Sequence, residues 1–392
     1  MPEITKAPNP KPAEQRPAEE RIAEQRPPEA CSPSARAPQP RALVKRMREY
    51  HPPLGSRTGL RLDFNENTLA CSPRVLAALA GIAAADLTRY PERASVERTV
   101  AASLGLDAEQ VLLTNGVDEA IHVLWQTFLD PGDELLMPTP TYAMYEVYAS
   151  AAGASLKALP PEDDFRFPFE RLLGAISEKT RLIAIANPNS PTGSAASREQ
   201  ILAICERAPR AAVFVDEAYF HFFGETVLDL IGTVPNLIVA RTFSKAYGLA
   251  GLRLGMLAAA EETQHWLRTV ISPYSVNSLA LACLPAALDD RAYLDWYAGE
   301  VKAARAEMAA RFLQLGLTQW PSVANFILVR IGRRHAAFVE ALRRRGILTR
   351  DRSQDAGCEG CVRITVGTRA QTSQALDAIE ETLREIGWEK ER

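Results

Sequence analysis

NLIVARTFSKAYGLAGLRLGM (236–256) decides the fold. Its first part, LIVA (237–240), is an apolar run that predicts a buried strand. Lys245 follows at once, in a bed of small and apolar residues, and Arg253 comes eight positions later. Short apolar stretches normally keep their charges at the ends. Lys245 is therefore either a surface lysine in a loop or a lysine kept for chemistry. Two further runs resemble the first: RLIAIANP (181–188) and AAVFVDEAY (211–219). Near-continuous apolar strands of this kind are buried on both faces, as in a parallel sheet covered by helices. Upstream, VLLTN (111–115) and ELLMP (134–138) predict strands. Each precedes a helical pattern, GVDEAIHVLWQTFL (116–129) and TYAMYEVYASAAG (141–153), the second ended by glycine. The alternation of strand and helix predicts an α/β class.

Length and composition set the bounds. A chain of 392 residues holds a large core and room for two domains. Apolar content of 47% and charged content of 24% are ordinary for a globular protein. A net charge of −3 gives no electrostatic case for nucleic acid or an anionic membrane. No run of about 18 apolar residues suggests a membrane helix, and MPEITKAPNPK lacks the apolar core of a signal peptide. A cytoplasmic location is expected. The six cysteines are scattered, which argues against a disulfide framework. Cys358 and Cys361 form a lone C-x-x-C without the further ligands of a tetrahedral zinc site, so a reduced structural pair is expected and no metal.

Composition also marks segments. Residues 1–42 are expected to be a disordered tail: ten of the 27 prolines fall within the first 40 residues, and AEQRP occurs twice. RALVKRMREYHPP predicts a short helix and an extended arm (43–62). A large domain is expected over 63–290. A helical region from about 276 to 315 follows, then NFILVRI, a helix near 335–345, GILTR, CVRITVG and a last amphipathic helix to about 387. These compose a smaller α+β domain, 291–392. A continuous helix is expected across the boundary, which lacks a proline-glycine linker.

In open α/β sheets the ligand sits beyond the carboxyl ends of the strands. After VLLTN, Gly116, Val117 and Asp118 open a helix whose free N–H groups suit an anion; a plain glycine turn fits the same residues. After RLIAIA comes a stiff turn holding Asn187. After AAVFV comes Asp216, a carboxylate in an apolar setting that needs a cationic partner. After LIVART come Ser244, Lys245 and Arg253. Pyridoxal 5′-phosphate accounts for all four ends together. Its aldehyde takes a lysine, its pyridine nitrogen an aspartate, its phenolic oxygen an asparagine and a tyrosine, and its phosphate a helix N-terminus, a serine and an arginine. An aromatic residue from TYAMY stacks on the ring.

TFSKAYGLAG (242–251) resembles the lysine signature of the pyridoxal-phosphate transferases grouped with histidinol-phosphate aminotransferase. NPNSPTG, VDEAY, GLRLGM and RITVG are similar to landmarks of that family in the same order, as are DFNEN (63–67) and Tyr90-Pro91. The resemblance covers roughly residues 45–388. It implies the fold-type I architecture: a large domain with a mostly parallel seven-stranded sheet flanked by helices, and a smaller α+β domain. It implies that Lys245 is the imine-forming lysine and proton carrier, Asp216 the pyridinium partner, Asn187 and Tyr219 the phenolate-oxygen ligands and Tyr142 the stacking residue. Gly116, Val117, Asp118, Ser244 and Arg253 would hold the phosphate. Tyr90 would reach the phosphate of a neighbouring subunit, so a homodimer with shared sites is implied. Arg363 would bind the substrate's carboxylate or phosphate, helped by Arg350, with Asn65 and Asn325 nearby. Each also has a plain reading: Arg363 fits a surface strand, Tyr142 a core, Arg253 a surface cation.

The function implied is an aminotransferase working between glutamate/2-oxoglutarate and either histidinol phosphate/imidazole acetol phosphate or an aromatic amino acid. NENTLACSP (65–73) departs from the family, which shows a proline and a glycine after NEN; that departure leaves open a specialised aminotransferase of secondary metabolism. A decarboxylase of a phosphorylated amino acid, resembling threonine-phosphate decarboxylase, shares the scaffold. An acyl-CoA-condensing synthase lacks its glycine- and histidine-rich motifs here, and a transcription regulator would need a DNA-binding helical domain ahead of the fold.

Overall fold

A computed structural model describes residues 38–49 and 58–389. The proline-rich tail and the extended part of the arm fall largely outside the described residues; the short helix of the arm is present as Ala42–Arg46. Residues Leu43–Arg392 group as one compact unit.

The strands in chain order are β1 (Leu60–Arg61), β2 (Val111–Asn115), β3 (Glu134–Pro138), β4 (Ser155–Leu159), β5 (Thr180–Ala186), β6 (Ala212–Asp216), β7 (Leu237–Thr242), β8 (Leu254–Ala259), β9 (Thr318–Gln319), β10 (Phe326–Arg330), β11 (Ile347–Leu348), β12 (Arg350–Asp351) and β13 (Cys361–Thr365). Seven of them form one sheet in the order β2-β8-β7-β6-β5-β3-β4. All pairings in it are parallel except those of β8, which runs antiparallel to both β2 and β7. The apolar runs explain the centre. Every residue of β6, β7 and β8 is buried, because alternate side chains enter two different cores. Val213, Val215 and Val239 pack on one face with Ile201 and Leu281. Phe214, Ile238 and Leu257 pack on the other with Leu124, Trp125 and Tyr145.

The helices match the expected pattern with shifted ends. Gly116–Phe128 forms as read. The second helix starts at Met144 rather than 141, since Thr141 and Tyr142 commit their hydroxyls to Asn189 and Asp118. It ends where Gly153 takes a left-handed φ of 85°, a conformation open to glycine at little cost. The helical region does not run through the expected boundary. It breaks at Asp290 into Ser278–Asp289 and Arg291–Gln314. The Asp290 carboxylate accepts from the Tyr293 amide and from the Ser72 hydroxyl, so it caps the second helix and ties it to another segment.

A four-stranded sheet, β12-β13-β10-β9, is antiparallel throughout. β1 pairs with β11 in a two-stranded parallel ribbon. A third core forms around Phe312, Phe326, Phe338 and Ile364 and takes in Tyr219 and Ala246 from the loops after β6 and β7. That shared packing brings the ends of the large sheet against β13. Cys358 and Cys361 are free thiols, fully buried beside Phe165, Trp320 and Leu328. Among the described residues no helix is long and apolar enough to cross a membrane.

Candidate active site

The carboxyl ends of β5, β6 and β7 open into one pocket. Its lining includes Asp216, Tyr219, Ser244, Lys245 and Arg253 from the large sheet, and Arg350 and Arg363 from the small one. The chain order of these residues is dispersed; the parallel register is what collects them. Asp216 ends β6 opposite Ala240 of β7, and Lys245 stands three residues past the end of β7.

Asp216 is buried. Its Oδ2 accepts a hydrogen bond from the Tyr145 hydroxyl at 2.8 Å, and its Oδ1 from the Ala218 amide at 3.0 Å. Burial lifts its pKa to about 6; the bonds from Tyr145 and Ala218 oppose that rise, Asp118 adds to it, and Lys245 opposes it. Among the described residues no cation stands within ion-pairing distance of this carboxylate. The expected cationic partner is thus absent among the described residues, and a protonated ring nitrogen would meet that need. Tyr145 is fully buried between Trp125, Phe214 and Tyr142, and the Trp125 indole N–H donates to its carbonyl at 3.1 Å. Burial and the neighbouring Asp216 hold its hydroxyl protonated, well above the ordinary tyrosine range, so Tyr145 acts as the donor.

Lys245 Nζ donates to the Phe64 carbonyl at 2.8 Å and lies 6.0 Å from the Tyr219 ring centroid. The Tyr219 hydroxyl accepts from Asn65 Nδ2 at 2.9 Å. Asn65 in turn accepts from Thr365 on β13 through Oδ1, at 3.0 Å, and has a positive φ of 55°.

The Gly116 side of the pocket is built from backbone. The helix Gly116–Phe128 has no side-chain N-cap, which leaves first-turn N–H groups for an anion. Gly116 has φ +73°, and a Cβ there would stand 2.5 Å from Arg253 Nη2. A Cβ on Gly255 would stand 2.6 Å from the Gly116 carbonyl carbon. Both glycines are needed for this cradle to form. Arg253 Nη2 meets Asp118 at 2.9 Å, and the Tyr142 hydroxyl donates to the other Asp118 oxygen at 2.6 Å. Tyr142 is half-exposed at the pocket wall, as a ring-stacking residue requires. Ser244 is buried at the same edge. A lysine, an uncompensated buried carboxylate, an anion cradle and an open aromatic face together fit pyridoxal phosphate.

Four expected residues do not line the pocket: Gly116, whose backbone shapes the cradle beside it, and Asn187, Asn325 and Tyr90. The Asn187 amide is turned to the Ala196 backbone, accepting from its N–H at 2.8 Å and donating to its carbonyl at 3.2 Å; it closes the turn rather than facing the pocket, where its neighbours Ala186 and Pro188 are found. Asn325 is fully buried behind Asn65 and donates to its carbonyl at 3.1 Å, so it supports the wall and does not line it. Tyr90 is 79% exposed and stacks on Tyr274 at 4.5 Å. Arg363 is buried and Arg350 faces it across β12 and β13, which excludes the surface-strand reading. The departing NENTLACSP loop is held without the family's proline and glycine: Asn67 donates to the Ala246 carbonyl at 3.1 Å, and the Thr68 amide donates to the Tyr297 hydroxyl at 3.1 Å. Sequence reasoning missed two residues: Tyr145, which lies behind Asp216 and donates to it, and Arg352, which lines the pocket. The repeat of tyrosine within TYAMY was a signal for the first; the second was hidden in a charged run, RDRSQD.

A family model for aminotransferase class I and II matches residues 57–379. The chain belongs to that family. Aminotransferases of this family similar to it include histidinol-phosphate aminotransferase of Symbiobacterium thermophilum, 36% identical over 87% of this chain and 98% of the relative. That of Roseiflexus castenholzii is 36% identical over 82% of this chain and 89% of the relative. Among solved structures, histidinol-phosphate aminotransferase from Sinorhizobium meliloti, in complex with pyridoxal-5′-phosphate, superposes with a TM-score of 0.80 at 25% identity, covering 91% of this chain and 99% of that one.

Proposed function

We propose that this aminotransferase uses pyridoxal phosphate to move an amino group between glutamate/2-oxoglutarate and histidinol phosphate/imidazole acetol phosphate. The observation that carries the reading is one pocket lined by Lys245 and Asp216 together with Arg350 and Arg363. The names of the relatives at 36% identity support the substrate.

When bound, pyridoxal phosphate supplies an aldehyde that exchanges amino groups and a pyridinium ring that takes up electron density. Asp216 holds the ring-nitrogen proton in place. Lys245 Nζ takes the proton from the substrate's Cα, and the short tether to Phe64 aims it. Tyr219, fixed by Asn65, and Tyr142 position the ring. Gly116, Val117, Asp118, Ser244 and Arg253 hold the cofactor phosphate; Arg363 and Arg350 hold the acidic end of the substrate. The side chain of Asn187 would have to leave Ala196 to serve as a ligand. The reading includes a large domain over 63–290, a small one over 291–392, and a cytoplasmic homodimer in which the exposed Tyr90 reaches the neighbouring site.

Purified enzyme incubated with pyridoxal phosphate is expected to gain absorbance near the visible edge, and Lys245→Ala to lose it. A colourless wild type would sink the cofactor assignment. A panel of amino donors and oxo acceptors, read spectroscopically as half-reactions, tests the substrate. Carbon dioxide release from a phosphorylated amino acid would instead assign a decarboxylase.

A further inference from the structure

The pocket holds one arginine more than the two already assigned to the acidic end of the substrate. Arg363 reaches only neutral oxygens: Nη1 donates to Ser190 Oγ at 2.8 Å and Nη2 to the Asp63 carbonyl at 2.7 Å. Its Nε is buried with no acceptor among the described residues. Burial lowers its pKa to about 10, and the charge of Arg352 adds to that. Arg352 follows β12 directly, its amide bonded to the Cys361 carbonyl at 3.0 Å. Its side chain enters the same pocket and is 14% exposed. One end of its guanidinium pairs with Asp355, while its Nε is buried with no acceptor among the described residues. Arg352, Arg350 and Asp355 all lie close enough to Arg363 for their charges to act on it, and the charge of Arg352 also reaches Cys358; Asp63 and Glu66 line the same pocket, Glu66 tied to Arg61 at 2.5 Å.

Guanidiniums gathered this closely repel one another, and a buried one with neutral partners is costly until an anion arrives. A carboxylate offers two oxygens and one charge, which a single guanidinium fork saturates. A phosphate monoester offers three free oxygens and a second charge above a pKa of about 6. The third oxygen and second charge call for another donor group beyond Arg363 and Arg350.

We propose that Arg352, oriented by Asp355, is a specificity-determining residue that tunes this end of the pocket to a phosphate monoester dianion over a carboxylate. The inference rests on the substrate reading above and names the group that separates its two substrates.

The test uses holoenzyme of wild type, R352Q and R352K. KM for histidinol phosphate and for glutamate is measured from pH 5.5 to 8, and inorganic phosphate binding is measured by calorimetry. Wild-type KM for the phosphate substrate falls as pH rises through about 6, where the dianion forms. R352Q is expected to raise that KM about tenfold relative to the KM for glutamate, to flatten its pH dependence and to weaken phosphate binding. R352K, which keeps the charge but loses the fork, is expected to recover part of each. Equal changes in both KM values, or an intact pH dependence in R352Q, overturn the proposal. If wild type does not turn over histidinol phosphate, the substrate reading fails by itself. Phosphate calorimetry on wild type and R352Q then still decides the role of Arg352.

Discussion

Tyr145→Phe removes one hydroxyl and leaves the ring in its aromatic box, so it isolates a single hydrogen bond to Asp216. Burial pushes the folded Asp216 carboxyl up to about 6 from its ordinary value of 3.8. An acid whose folded pKa is raised contributes stability below the unfolded pKa and loses it as pH rises through the folded one. In ligand-free enzyme the ionised Asp216 therefore costs about 3 kcal/mol at pH 8 relative to pH below 4, at about 1.4 kcal/mol per unit. The Tyr145 bond limits that cost, because a hydroxyl stabilises a carboxylate by about 2–3 kcal/mol and a neutral carboxyl by about 1 kcal/mol. The variant is expected to lose about 1 kcal/mol at pH 5, where the carboxyl is largely protonated, and about 2–3 kcal/mol at pH 8. Urea unfolding of ligand-free wild type, Tyr145→Phe, Asp216→Asn and the double variant at both pH values measures this. The pH-dependent part should vanish on the Asp216→Asn background. Equal losses at pH 5 and pH 8 would refute the reasoning and reduce Tyr145 to packing.

Gly116→Ala places a methyl group against Arg253 and strains a left-handed φ; it is expected to weaken pyridoxal phosphate binding at least tenfold, read by fluorescence titration, with the fold retained by circular dichroism. Arg241→Met breaks a buried pair in which Arg241 Nη2 meets Glu217 at 2.8 Å. Leaving Glu217 uncompensated costs about 3–5 kcal/mol, which a shift in the urea midpoint would register; no shift would mean that water reaches Glu217.

The centre of the fold was legible because β5, β6 and β7 carry apolar side chains on both faces, and a helix cannot easily be built from such short β-branched runs between turn residues. β4 was not read: SLKAL is an edge strand, with Ser155 and Ala158 exposed and Lys157 half-buried, so it lacks that signature. β8 was read only as cofactor anchorage, since Arg253 and the glycines drew attention from LGMLAA. Chain position located Lys245 and Asp216 well, because a strand end has a fixed place in the sheet. It could not locate Asn187 or Asn325, whose roles depend on which way a short amide turns. The backbone of Ala196 claims the first, and that of Asn65 the second. The break at Asp290 depends on Ser72, more than two hundred residues away in sequence, and no local pattern announces it.

The one antiparallel neighbour of β7 has a consequence for how the site assembles. Because β8 returns beside β7, Lys245 and Arg253 sit on a single hairpin connection, and their spacing is set by local closure. Asp216 and the Gly116 helix reach the same pocket through separate crossovers. Loop closure costs little over a dozen residues and more over a long crossover. Lys245 and Arg253 thus travel as one cassette, while Asp216 joins only when the parallel sheet closes. A refolding chain would set the spacing of Lys245 and Arg253 before Asp216 meets either.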